Sequence, residues 1–349
     1  MQTNELMTEL GSTITALMAR GKGLLAADES NTTIAARFLP FAIEPTEENR
    51  RSYRQMLFTT PDLATYISGV ILFDETIRQR ADDGRTFVEL LLERGITPGI
   101  KVDRSTTPLA GATDERITEG LDGLRERLEQ YRTLGARFAK WRAVIAIGNG
   151  RPSLYALDTN AHALARYAAL CQETGMVPIV EPEVLMDGDH SLEQSFEATE
   201  ATLDRVFTAL RAQRVVLEQM LLKPNMVLPG LSSPRQATVL EVAEATVRCL
   251  RRAVPAAVPG IVFLSGGQAP LTATAHLNAM NTMPTGRPWP LSFSFARALQ
   301  APALEAWRGE SSNLTAAAQR ALYHRARCNG AAREGRYTTE VEHATEKGA

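Results

Sequence analysis

Lysine is scarce in this chain, and its placement is the first chemical signal. Of the 38 basic residues only five are lysine, namely Lys22, Lys101, Lys140, Lys223 and Lys347; the rest are arginine. Either residue can carry a surface charge, but only lysine readily loses its proton and attacks a carbonyl. Three of the five, Lys101, Lys140 and Lys223, stand inside the apolar runs PGIKVD, FAKWRAVIAI and MLLKPNM. An ammonium among Leu, Ile and Val is costly unless it is paired or neutralised. Lys223 closes its run and precedes Pro224. An amine there, with other cations crowded around it, is a candidate nucleophile. The same spacing also suits a structural lysine held by a carboxylate. Glu181 and Glu183 in VPIVEPE are two residues apart and share one face of an extended strand. Two close carboxylates do not both ionise freely, which suits one of them to general acid–base work; they suit ion pairs with the lysines equally. Asp28, at the end of GLLAAD, fits a proton-orienting role, a helix cap or a partner for a lysine.

A second kind of chemistry is carried by LSGGQ at 264–268 and by Arg297 in SFSFARALQ. Adjacent glycines let backbone N–H groups close around phosphate oxygens. An arginine opening a helix completes such a site, since both the guanidinium and the helix N-terminus favour an anion. Ser265, Gly266, Gly267 and Arg297 are therefore the candidate phosphate cradle. LSGGQ also occurs in transporter ATPases, but these need a G-x-x-x-x-G-K-[ST] loop and the chain has none.

These residues must be held by a repeating frame. Eight apolar runs, at 23–28, 67–73, 98–103, 138–147, 177–183, 220–226, 260–267 and 289–295, alternate with amphipathic stretches. The stretches at 114–135, 159–175, 191–213 and 234–254 have helical periodicity, and the first two end at glycine. Eight strands alternating with helices predict a (β/α)₈ barrel, whose chemistry belongs at the C-terminal ends of the strands. Those ends deliver in turn Asp28, Asp74 with Glu75, Lys101 with Asp103, Lys140 with Arg142, Glu181 with Glu183, Lys223, Ser265 with Gly266 and Gly267, and Arg297. The competing architecture, an open doubly wound sheet, would carry a G-x-G-x-x-G turn after its first strand, and none is present. No change of composition divides the chain, so residues 1–349 read as one barrel domain, with a polar tail from about Gly330.

The bulk properties exclude several classes. A net charge of −2 gives no global attraction to nucleic acid or to an anionic membrane. No apolar run reaches the ~20 residues of a membrane span, and the N-terminal segment lacks the pattern of a secretory or transit peptide. Cys171, Cys249 and Cys328 are isolated in sequence and form no CxxC pair, which points to reduced thiols in a cytoplasmic protein. The five histidines form no ligand spacing, so no metal is expected, and nothing in the sequence suggests a flavin or nicotinamide.

Taken together, the segments GKGLLAADESNTTIAARF, TPGIKVD, FAKWRAVIAIG, VPIVEPEVLMDGDH, LLKPNMVLPG, FLSGGQ and LSFSFARALQ resemble the class I, Schiff-base fructose-1,6-bisphosphate aldolases. The resemblance runs from Gly21 to about Tyr337. It implies a metal-independent lyase without a cofactor. Such an enzyme cleaves fructose 1,6-bisphosphate into dihydroxyacetone phosphate and glyceraldehyde 3-phosphate, and is usually a homotetramer. It implies that Lys223 forms the imine, that Glu181 is the main general acid–base, that Asp28 and Lys140 assist at the imine carbon and that Glu183 supports the lysine. It places Ser265, Gly266, Gly267 and Arg297 at the C1 phosphate, and Ser30, Thr33, Lys101 and Arg142 toward the C6 phosphate. A transaldolase-like Schiff-base enzyme and a non-catalytic scaffold relative are the alternatives. The phosphate cradle argues against the first, and the retention of Lys223 and Glu181 argues against the second.

Three positions depart from the resemblance. Many members end in a tyrosine, whereas this chain ends EHATEKGA with Tyr337 upstream. Arg104-Ser105 stands where Lys-Gly is frequent, and Asn31-Thr32-Thr33 where Thr-Gly-Ser is common. The last change touches the C6-phosphate side and bears on which aldose phosphate is preferred, triose or tetrose.

Overall fold

The computed structural model describes residues 2–284, 286–309 and 313–344. Its strands in chain order are β1 Gly23–Ala27, β2 Ile67–Leu72, β3 Thr97–Lys101, β4 Thr106–Leu109, β5 Ala112–Thr118, β6 Phe138–Ile145, β7 Val177–Val184, β8 Leu221–Leu222, β9 Ile261–Phe263 and β10 Leu291–Phe295. All but β4 and β5 pair in parallel and close in the order β1-β10-β9-β8-β7-β6-β3-β2. This is the expected (β/α)₈ barrel. Its strands read as unbroken apolar runs because helices cover their outer faces and side chains fill the interior. Closure leaves the barrel itself no sheet edge to pair with another chain.

The barrel interior follows the two-residue period of a strand. Leu24 and Ala26 on β1, Phe138 on β6, Val177 and Ile179 on β7, Leu221 on β8 and Val262 on β9 form one buried apolar cluster. Leu10, Ile14 and Leu17 from the helix Gln2–Leu17 join this cluster and plug the barrel. Continuing each inward row by two residues gives Asp28, Lys140, Glu181 and Lys223. Apolar side chains thus fill the lower barrel, and the next inward position on four strands carries a charge. On the outer face of the barrel the packing is tight at Gly23, where a Cβ would lie 2.6 Å from the Phe293 ring.

Three expectations need correction. Residues 114–135 are not one helix. Ala112–Thr118 pairs antiparallel with β4, turning at Gly111, and the helix occupies only Leu124–Thr133. The Thr and Ile of TDERIT favour a strand, and the neighbouring TTPL supplies a partner. The sixth run, 220–226, gives a strand of two residues, because Pro224 has no N–H for the ladder; the Lys223 N–H still donates to the Val180 carbonyl at 2.8 Å. Finally, the segment from Gly330 is helical to Arg333 and again at Thr339–His343. Residues 345–349, including Lys347, lie outside the described residues.

Candidate active site

Two buried ammonium groups share one carboxylate at the barrel mouth. Glu181 on β7 places Oε1 3.2 Å from Lys223 Nζ and Oε2 3.2 Å from Lys140 Nζ. Lys140, at the inward position of β6, is also 2.7 Å from Asp28 Oδ2 and 3.6 Å from Asp103 Oδ2. Burial alone would depress the Lys140 ammonium, but Asp28, Glu181 and Asp103 outweigh it and raise its pKa well above the ordinary range. Burial likewise pushes the Asp28 carboxyl up. The charges of Lys140, Lys223 and Lys101 overcome that and hold it well below the usual carboxylate range. Lys140 therefore stays cationic and Asp28 anionic across neutral pH. Glu181 Oε2 is buried and makes no directed hydrogen bond despite its ion pair, so a lone pair remains for a further partner.

The cleft around this cluster has a volume of about 420 Å³ and suits a small polar molecule. Asp28, Lys140, Glu181, Glu183, Lys223 and all of the expected phosphate-side residues except Gly267 line it. Gly267 lies directly behind: a Cβ there would meet the Arg297 guanidinium at 3.0 Å. Gly266 and Gly267 have φ of 59° and 98°, the left-handed region that glycine tolerates, which turns the chain sharply after β9. Arg297 opens the helix Arg297–Trp307 after β10. Its pKa is lowered by burial and by the neighbouring charges of Arg37 and Arg142, which outweigh the opposing Glu183 and Asp187, so cations converge there. That is the electrostatic setting of an anion site.

The other end of the cleft is built on the helix Asn31–Phe38 after β1. Ser30 caps it, accepting from the Thr33 N–H at 3.3 Å, and the two hydroxyls lie 3.0 Å apart. Lys101, at the end of β3, pairs with Asp103 at 3.2 Å. Arg142 is ion-paired with Glu183, and this pair raises the Arg142 pKa against the opposing effect of burial. Glu183, which the resemblance implies supports Lys223, is thus also the partner of Arg142.

Other residues acquire meaning only from the fold. Asp74 accepts from Arg78 and from the Tyr131 hydroxyl, and Glu75 from Arg50. Both are structural ion pairs outside the lysine cluster. Three polar cleft residues, Ser294, Arg37 and Glu29, were not singled out from the sequence. Ser294 on β10 presents a buried hydroxyl without a hydrogen-bond partner; its inward alternation with Phe293 and Phe295 was the available signal. Arg37 lines the cleft, ion-paired with the buried Glu29, which also pairs with Arg54 at 2.6 Å. Nothing in the sequence marks Arg37 among so many arginines. Away from the cleft, His324, Cys328 and Glu342 bring ligand-type atoms together. Glu342, however, already accepts from Arg325 at 2.6 and 2.7 Å and from Tyr337 at 2.7 Å.

A barrel whose mouth holds buried amines against carboxylates, flanked by two cationic ends, defines an enzyme that works on phosphorylated carbonyl compounds through an amine. Comparison with known proteins makes this specific. The family model for fructose-bisphosphate aldolase class-I matches residues 9–349. A probable fructose-bisphosphate aldolase class 1 of Xanthomonas campestris pv. campestris is 57% identical over 329 residues, covering 94% of this chain and 98% of that protein. The fructose-bisphosphate aldolase of Echinococcus multilocularis is 54% identical over 341 residues, covering 97% and 94%. The Plasmodium falciparum fructose-bisphosphate aldolase, solved with TRAP and a small-molecule inhibitor, superposes with a TM-score of 0.94 at 46% identity, covering 96% of both chains. The chain belongs to the class I fructose-bisphosphate aldolases. These glycolytic lyases cleave fructose 1,6-bisphosphate to dihydroxyacetone phosphate and glyceraldehyde 3-phosphate, and run the reverse condensation, through a lysine Schiff base. No described helix is long and apolar enough to cross a membrane.

Proposed function

We propose that Lys223 is the Schiff-base lysine and Glu181 its proton carrier. The observation that carries this is the single carboxylate set 3.2 Å from both the Lys223 and the Lys140 ammonium groups. Glu181 accepts the Lys223 proton, and the freed amine attacks the C2 carbonyl. The carbinolamine then loses its oxygen as water, protonated by Glu181, and leaves an iminium. Glu181 takes the C4 hydroxyl proton. The C3–C4 bond breaks, its electron pair moves into the iminium, and glyceraldehyde 3-phosphate departs from an enamine. Protonation at C3 and hydrolysis release dihydroxyacetone phosphate and restore the amine. Lys140 and Asp28, held in opposite fixed charge states, supply a preorganised field around the imine carbon and need not move during reaction.

The C1 phosphate is assigned to Ser265, Gly266, Gly267 and Arg297, with Ser294 offering its unpaired hydroxyl beside them. The C6 phosphate is assigned to Ser30, Thr33, Lys101 and Arg142. Two cationic ends fix the substrate so that C2 meets Lys223, which turns binding into orientation. The chain is read as one folding unit: Arg333 near the C-terminus donates to the Ala19 and Lys22 carbonyls and, at 2.6 Å, to that of Met18. A cytoplasmic homotetramer is the proposed assembly. Leu39, Leu154 and Leu240, which are 58–78% exposed, offer apolar surface to a second copy, and all three cysteines are buried free thiols. The same assignments serve the condensation direction in gluconeogenesis.

The test is reductive trapping. The protein is incubated with dihydroxyacetone phosphate, reduced with borohydride and mapped by mass spectrometry. An adduct on Lys223, absent from Lys223→Met, is expected. A folded protein that gives no adduct, or gives one on Lys140, overturns the assignment.

A further inference from the structure

A second pocket, of about 530 Å³, opens beside the C6-phosphate end of the cleft and shares Ser30 and Lys101 with it. Its far side is built by Arg78, Arg104, Ser105 and Arg127. Four cations therefore face two carboxylates, and both carboxylates are already taken. Asp74 is held by Arg78 at 3.0 Å and by Tyr131 at 2.9 Å. Asp103 lies 3.2 Å from Lys101 and 3.6 Å from Lys140. Among the described residues, the Arg104 guanidinium has no ion pair and no hydrogen bond. Arg127 donates to the backbone carbonyls of Val102 at 2.9 Å and of Gly120 and also lies against the Tyr131 hydroxyl; no carboxylate is ion-paired with it among the described residues, and its Nε is buried without a partner. Burial lowers the Arg127 pKa, and the neighbouring charge of Arg104 lowers it further.

The backbone adds an independent sign. Ser105 has φ of 78°, in the left-handed region. A non-glycine residue there costs on the order of 1 kcal/mol and persists where the surroundings or the function favour it. Its N–H and carbonyl neighbours are fixed by the base of the β4–β5 hairpin: Arg104 N–H donates to the Glu119 carbonyl at 2.8 Å, and Glu119 N–H to the Ser105 carbonyl at 2.9 Å. The strained serine and the unpaired arginine are consecutive, and both line the pocket.

We infer that this pocket is a second anion site, in which Arg104, Arg127 and Ser105 bind a phosphate group that does not belong to the ketose substrate. Phosphate chemistry fits because it offers several strong acceptor oxygens to guanidinium and hydroxyl donors. The ligand is bare phosphate or a small phosphate monoester. The site is coupled to catalysis through Lys101. A phosphate drawn toward Arg104 shares that ammonium with the C6 phosphate, raises KM for fructose 1,6-bisphosphate and leaves cleavage of fructose 1-phosphate unchanged.

The experiment is calorimetric titration of inorganic phosphate into the full chain saturated with hexitol 1,6-bisphosphate, an uncleavable occupant of both substrate phosphate ends. One phosphate per chain is expected to bind beside it. Arg104→Ala, at an exposed position, is expected to weaken that binding at least tenfold without changing kcat. Ser105→Gly is expected to weaken it while raising Tm, since glycine relieves the left-handed strain; a purely structural serine would move Tm alone. Glycerol phosphate titrated in parallel separates the two ligand sources: tighter binding than phosphate marks an ester site, and equal binding a bare-phosphate site. No phosphate bound beside the saturating hexitol bisphosphate, or wild-type affinity in Arg104→Ala, overturns the inference. Failure of hexitol bisphosphate itself to bind would count against the cleft assignments. The Arg104→Ala comparison on the unsaturated protein would then decide the pocket alone.

Discussion

Replacing Lys140 by methionine tests the electrostatics of the cleft most directly. Methionine keeps most of the side-chain volume and removes only the charge that Asp28, Glu181 and Asp103 surround at 2.7, 3.2 and 3.6 Å. Asp28 and Glu181 would then share a nearly dry space with Lys223 as their buried cation, while Asp103 keeps Lys101 at 3.2 Å. Removing one partner of a buried pair costs about 3–5 kcal/mol, because the charge left behind is uncompensated. At about 2.1 cal/mol/K of unfolding entropy per residue, that cost lowers Tm by roughly 4–7 °C for a chain of this size. The pH dependence carries the sharper test. In the wild type, Asp28 is depressed from its ordinary 3.8, so its contribution is present above that value and is lost only as pH falls through the lower folded value. Lys140 is raised from 10.5, so its contribution is complete below 10.5 and is lost only as pH climbs beyond it. Neither varies between these limits. In Lys140→Met the stranded carboxylates take up protons on folding, so acidification should restore stability. The Tm deficit measured by differential scanning fluorimetry should be smaller at about pH 5.5 than at about pH 8. A deficit independent of pH, or none at all, refutes the reasoning that Lys140 neutralises this cluster.

Four further outcomes follow from the same geometry. Arg297→Ala should lower kcat/KM for fructose 1,6-bisphosphate and fructose 1-phosphate alike, by about 10–150-fold, the loss of one charge-assisted phosphate contact of ~1.5–3 kcal/mol; steady-state kinetics with both substrates checks it. Lys101→Ala should penalise the bisphosphate and spare the 1-phosphate, and an equal loss on both would remove Lys101 from the C6 end. Gly23→Ala drives a methyl group into the Phe293 ring, where a Cβ sits 2.6 Å away, and should cost about 1–3 kcal/mol by chemical denaturation. Phe293→Leu in the same chain should recover part of that cost. Activity should survive EDTA, because every step assigned above is carried by side chains; a strong, metal-reversible loss would contradict the lysine mechanism.

How much was legible depended on whether the signal was local. The eight barrel strands could be read because each is buried on both sides and so appears as an apolar run, even where only Leu221–Leu222 remain strand by hydrogen bonding. The β4–β5 hairpin could not. Its residues are partly exposed, its strands are short, and the polar TDERIT sits beside a genuine helical pattern. The final helices were missed for the opposite reason: a polar composition was read as a tail, whereas Arg325, Tyr337 and Glu342 bind one another at 2.6–2.7 Å. In the site, lysines inside apolar runs stood out because a buried charge is expensive and rare. Arg37 and Ser294 did not, because an arginine on a helix and a serine on a strand cost nothing until their neighbours are known.

The sequence by itself determined the barrel, the family and the list of groups at the strand ends. Each of these rests on short-range facts: a two-residue alternation, a glycine pair, a lysine where apolar residues surround it. Only the tertiary structure decided which charge meets which. β6 and β7 set Arg142 opposite Glu181 in register, yet Arg142 pairs with Glu183, two residues further along, while Glu181 turns inward to Lys140 and Lys223. Barrel closure brings Asp28 from the first strand to Lys140 and lays Arg297 against Gly267. The physical reason is that pairing strength depends on distance and burial, and both are properties of the closed barrel that no stretch of the chain possesses alone.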